Sequence, residues 1–148
     1  MVAYTDTHGF NKGNADAFPE SGTWSVTKLD VELNFATIIA DRATAGVSAL
    51  TTSDTLQVLR IPAGSVVLTA GLEVTTVEST NTTGTFGLTD GSVTYATGVA
   101  NNALAFSASN LANPTLYSSA DTLDLSFATA MPTDAVIRAW VVMADVGE

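Results

Sequence analysis

The sequence predicts an all-β fold: a single antiparallel β-sandwich, of jelly-roll or Greek-key type, with an extended N-terminal arm and one short helix. Three observations lead there. Apolar and polar residues alternate with period two in several segments, the pattern of a strand with one face on a core. Turn chemistry recurs between those segments, at Pro62-Ala63-Gly64, Asp90-Gly91 and Met131-Pro132-Thr133-Asp134. The chain has 148 residues, 46% of them hydrophobic, which suits one domain with one core.

Residues 1–25 stand apart as an arm, and residues 26–148 form the sandwich domain. The arm holds Gly9, Gly13, Pro19 and Gly22 with scattered aromatics, and shows neither helical nor strand periodicity. From Leu29 the chain reads LDVELNF, with Leu29, Val31, Leu33 and Phe35 on one side of a half-buried strand. The alanine-rich stretch ATIIADRATAGVSAL follows and predicts a short connecting helix that stops near Gly46. DTLQVLRI, from Asp54, is a strand closed by the Pro62 turn, where proline fixes φ and removes a ladder donor. SVVLTAGLEVTTV, from Ser65, is a long β-branched strand in which Gly71 predicts a bulge or bend. GTFGLTDG is a short strand ending at Asp90-Gly91, with residues 92–96 pairing back across it.

Residues 97–120 are rich in Asn, Ala and Ser and carry Pro114, so they predict a long surface loop with a short strand near Leu104 and Phe106. DTLDLSFA, from Asp121, alternates on Leu123, Leu125 and Phe127. The last strand, AVIRAWVVMADV, is apolar on both faces except at Arg138, which predicts a central position in its sheet. No fixed-period repeat is present, which removes a propeller.

Composition narrows function. Charged residues are 14%, against roughly 25% in ordinary soluble proteins. Small uncharged polar residues fill the gap, and these are cheap to bury against a partner. Net charge is −10, from 15 acids and 5 bases, so no basic stripe for a phosphate backbone can form. No nucleic-acid partner and no membrane partner are expected. The N-terminus lacks a basic region followed by an apolar one, and the apolar stretches fall short of the ~18–20 residues of a span. Synthesis in a cytoplasm is the expectation.

No catalytic constellation emerges, and no enzyme is expected. The only histidine, His8, lies in the irregular arm without an orienting acid. There are no cysteines, which removes thiolate chemistry and disulfides. The acids sit on polar strand faces (Asp30, Glu32, Asp124) or at turns (Asp54, Asp90, Asp121, Asp134), both ordinary solvated positions. Asp90, Asp121 with Asp124, and Asn101-Asn102 could offer oxygens to calcium, but no EF-hand or Gly-Asp repeat frames them. No cofactor and no metal site are expected. Trp140 alternates within an apolar strand and reads as core or interface. The arm's Tyr4, Phe10, Phe18 and Trp24 are the candidates for contact with a partner, because buried aromatics commonly dominate interface energy.

The segment DTLQVLRIPAGSVVLTAGLEVTT, its alanine-rich lead-in, the following GTFGLTDG and the later YSSADTLDLSF resemble a group of small structural proteins of tailed bacteriophages. The resemblance spans about residues 35–146 and leaves the arm uncovered. It implies a place in the virion. Members resembling head decoration, or cement, proteins imply a jelly-roll homotrimer bound to the major capsid protein on the capsid exterior. A second expectation, a head-fibre or tail-associated sandwich that binds host glycan, calls for exposed aromatics at Tyr95, Phe106 and Tyr117.

Overall fold

The alternating segment around Leu29 becomes strand β1 (Ser25–Asn34), and the chain passes without a break into helix α1 (Phe35–Thr44). The computed structural model describes residues 25–80 and 84–146; the arm's Tyr4, Phe10, Phe18 and Trp24 lie outside them. Asn34 starts the helix because its Oδ1 accepts the Thr37 amide at 3.2 Å. Gly46, at φ 67°, ends it: its amide reaches the Ala43 carbonyl and the Val47 amide reaches Arg42, a Schellman turn that favours glycine.

The remaining strands are β2 (Thr55–Ile61), β3 (Ser65–Thr76), β4 (Thr85–Thr89), β5 (Thr94–Ala100), β6 (Phe106–Tyr117), β7 (Asp121–Ala128) and β8 (Val136–Asp145). They form two four-stranded antiparallel sheets, ordered β1-β8-β3-β6 and β2-β7-β4-β5. Only β4 and β5 are both consecutive and hydrogen-bonded to each other; the other connections pass between sheets or around them. That winding is a jelly roll, which resolves the choice the sequence left open.

The core lies between the inner faces. Ile137, Ala139 and Val141 of β8 and Val67, Leu72 and Val74 of β3 meet Leu123, Leu125 and Phe127 of β7 and Phe86 and Leu88 of β4. Phe35, first in the helix and fully buried, plugs one end of this space. Its ring lies 5.6 Å from Phe86 and 5.8 Å, edge-on, from Phe127. Its amide donates to the Ala135 carbonyl at 3.1 Å. The strand periodicity placed Phe35 inward correctly, but the residue does so as the first turn of a helix.

Two loops close the same end through a carboxylate clamp. Glu78, only 5% exposed, accepts from the Thr133 amide at 2.8 Å and from the hydroxyls of Thr133 and Thr80. Asp134 returns the contact by accepting the Ser79 amide at 2.8 Å and the Ser79 hydroxyl. Burial pushes the Glu78 carboxyl up, but hydrogen bonds from Thr133, Asp134 and Thr80 outweigh it and hold the group at about 2.

Two readings of the sequence need correction. Residues 97–120 are not a long loop: β5 continues to Ala100, and β6 is a twelve-residue strand. β6 is an edge strand of its sheet, where Pro114 can sit without breaking the ladder on both sides. Gly71 is not a bulge. The register of β3 shifts between Val67 and Thr69 and between Val74 and Thr76, leaving Gly71 in regular pairing with Trp140 and Ala108.

Phe35→Ala should cost about 3–5 kcal/mol, measured by chemical denaturation, because it empties the plug without a chain segment able to collapse into it. Acid should weaken the Glu78 clamp. A carboxyl held down in the folded state contributes stability that is complete above its ordinary value, 4.5, and is lost as pH falls toward about 2. Glu78→Gln should therefore be less stable than the parent at neutral pH, with the gap narrowing across that acid window in melting scans.

Candidate functional site

Residue β8 side chains alternate strictly, and both sets contain apolar groups. Ile137, Ala139, Val141 and Met143 point inward; Val136, Arg138, Trp140, Val142 and Ala144 face outward. The second sheet covers only the inner set. The outward set lies mid-sheet, between β1 and β3, and the register builds a surface around it.

Trp140 stands opposite Asp30 of β1 and Gly71 of β3, and Gly71 stands opposite Ala108 of β6. A Cβ on Gly71 would lie 2.4 Å from the Ser107 carbonyl oxygen and 2.8 Å from Trp140 Cζ2. The missing side chain thus lets the indole lean across β3 toward β6. There it meets Phe106, with ring centroids 6.0 Å apart and planes within 12° of parallel. Phe106 is 66% exposed. Toward the far end of the same face, Val26, Ala144, Val66 and Leu116 fall in one row, and Leu116 is 57% exposed.

A charged cluster borders the aromatic pair. Arg138 lies 3.9 Å from Asp30, 3.8 Å from Glu32 and 3.9 Å from Glu73, all four side chains being about half exposed. These separations exceed hydrogen-bond length, and exposed pairs of this kind contribute at most about 1 kcal/mol each. The groups keep most of their hydrogen-bonding capacity for a partner. An apolar centre with Trp, Phe and Arg beside a polar margin has the anatomy of a protein–protein contact.

Of the two places the sequence left open for Trp140, core or interface, the structure excludes the core: the side chain lies on the outer face. The sequence's other candidates fall elsewhere. Tyr95 and Tyr117, expected on an exposed rim for glycan, are buried at 2% and 7% exposure. The Tyr95 hydroxyl donates to Tyr117 at 2.5 Å, and Tyr117 donates to Asp90. Burial drives both tyrosine hydroxyls above their ordinary range. Burial also pushes Asp90 up, but hydrogen bonds from Tyr117 and from the Val93 and Ser92 amides hold its carboxyl below the usual value.

Two of the calcium candidates are engaged within the chain. Asp90 Oδ1 accepts the Ser92 amide at 2.8 Å, and Asn101 Oδ1 accepts the Gly84 amide at 2.9 Å. Among the described residues no group of three or more His, Cys, Asp or Glu side chains is placed to hold a metal ion. Nor, among them, is any helix long and apolar enough to cross a membrane. Phe106, the third aromatic expected to be exposed, is exposed, but beside Trp140 on a sheet face and not on a loop rim. Sequence reading missed Leu116 and the role of Gly71; the two-sided apolar pattern of β8 was the signal that this face exists.

No protein-family model matches the chain, and no curated protein does. Two solved structures share its fold. One is a chain of the cyanophage Pam1 capsid asymmetric unit, 19% identical, covering 86% of this chain and 88% of that one with a TM-score of 0.57. The other is a chain of the acidic stable capsid structure of Helicobacter pylori bacteriophage KHP30, 10% identical, covering 82% and 91% with a TM-score of 0.50. The jelly roll of this chain is therefore a fold found in phage capsid structures.

Gly71→Ala should destabilise by about 1–3 kcal/mol in denaturant titration, since the added methyl meets a backbone oxygen that cannot rotate away. Combining it with Trp140→Ala should not restore stability, because the Ser107 carbonyl remains.

Proposed function

We propose that this chain is a structural, non-catalytic protein of a tailed-bacteriophage virion: a decoration, or cement, protein that binds the outer surface of the major capsid protein as a homotrimer and stabilises the head. The observation that carries it is the open outer face of the first sheet, an aromatic and apolar surface on a fold shared with chains of two phage capsids. A shell under internal pressure has seams at its local symmetry axes. A ring of identical domains across a seam adds contacts to several subunits at once, and each contact raises the effective concentration for the next. No chemistry is required of such a protein.

The low charge content supports the same reading, because small polar residues lose little on burial. A glycan-binding role draws less support, since two of its three aromatic residues are buried. The arm, residues 1–25, is proposed as a second contact element through Tyr4, Phe10, Phe18 and Trp24.

The test adds purified protein to undecorated heads. Co-sedimentation, a higher melting temperature of the particle and density on the outer shell surface are expected; protein found only on the tail, or none bound, would overturn the proposal. Removal of residues 1–24, which keeps β1 from Ser25 onward, should leave a folded sandwich, by circular dichroism, that binds heads or its own copies at least tenfold more weakly.

A further inference from the structure

We propose that the aromatic arm of one copy, residues 1–24, docks on the outer face of the first sheet of a neighbouring copy, packing aromatic side chains against Phe106, Trp140 and Leu116. This rests on the reading of the chain as a self-assembling virion protein and names the surface through which copies join.

The place where the arm meets the sheet favours a neighbour over the arm's own face. The arm ends at Ser25, the first residue of edge strand β1, where the register partner is Asp145. Trp140 stands opposite Asp30, five residues further along β1, about 17 Å into the sheet. β1 runs from Ser25, beside the Val26 and Leu116 row, toward the Trp140 row, so the arm joins the sheet five residues short of Trp140. Covering its own Trp140 would require the arm to double back along β1, whereas a neighbour's face sets no such direction on it. Twenty-four extended residues span up to about 80 Å, several times the width of a four-stranded sheet.

The chemistry of the two parts also matches. Four aromatics in 24 residues have no regular pattern through which to bury one another. The face offers two near-parallel rings and an exposed leucine. Its margin carries Asp30, Glu32 and Glu73 against Arg138 and the exposed Lys28 of the same face. The arm brings Lys12, two residues from Phe10, as a further cation for those carboxylates. Each copy then gives one arm and receives one. Such a head-to-tail contact closes into a ring when the rotation permits, with three copies as the smallest ring that is not a dimer.

The absence of cysteine makes the test direct. Ala108 is exposed beside Gly71 on the face. A protein carrying only Ala108→Cys is mixed with proteins carrying only Asn11→Cys, Ala17→Cys or Thr23→Cys, and the mixture is oxidised. The expected product is a covalent dimer joining position 108 to an arm position, identified by peptide mass spectrometry. Phe106→Ser, at an exposed site, should remove that product and weaken self-association at least tenfold in light scattering. A double variant that closes within one chain would overturn the proposal. So would the absence of every arm-to-face product, or an oligomer that survives deletion of residues 1–24. Binding to undecorated heads is scored separately: crosslinked rings that ignore heads would support this contact and defeat the decoration reading, while head binding by uncrosslinkable monomers would do the reverse.

Discussion

Everything outward-facing in this molecule follows from a strand that is apolar on both sides. A jelly roll has two layers, and each layer covers only the inner face of the other. β8, fixed between β1 and β3, sends Ile137, Ala139 and Val141 into that shared core and leaves Trp140 and Val142 on the outside. A lone tryptophan on a surface needs no explanation. Here the neighbouring strands are shaped to receive it: β3 gives up a side chain at Gly71, and β6 supplies Phe106 alongside. Three strands cooperating to lay an indole flat across the sheet fits the contact proposed for this face.

The rest of the fold makes that surface stiff. β3 and β8, the two inner strands of the first sheet, pair along nearly their whole length. Phe35, Phe86 and Phe127 lock the two sheets together at one end, and the Glu78 and Asp134 clamp ties the loops there to each other. Near the other end, Tyr95, Tyr117 and Asp90 form a hydrogen-bonded chain linking β5, β6 and the turn after β4. A preorganised face loses little entropy when it binds, so more of its contact energy is retained as affinity.

How much of this was legible depended on how many constraints acted on each segment. Strands such as β7, with one face in the core and one in solvent, alternate cleanly, and Leu123, Leu125 and Phe127 could be placed from spacing alone. β8 could be placed centrally from its unbroken apolar run, but that run did not show that the second sheet leaves its outer set uncovered. β6 could not be read. As an edge strand it carries little core, accepts Pro114 and contributes small residues, so its composition matches a loop. Its partner in the site, Gly71, was misread for a related reason: a glycine in a strand signals close approach as readily as a bulge, and only the register tells which. The site therefore lay half in view: Trp140 and Phe106 were each singled out, but nothing in their spacing showed that Gly71 lets them meet.

The charged margin adds a further constraint on whatever covers the face. Asp30, Glu32 and Glu73 outnumber Arg138 and Lys28, and the spacings of 3.8–3.9 Å leave the carboxylates without tight pairing to Arg138. Burying them against a purely apolar partner would carry a desolvation cost that the weak existing pairs cannot offset. The covering surface must bring donors or cations to the margin while it fills the centre with apolar side chains. Flat hydrophobic adhesion fails that requirement, and so does a strongly acidic partner. A segment mixing aromatics with a few donors meets it.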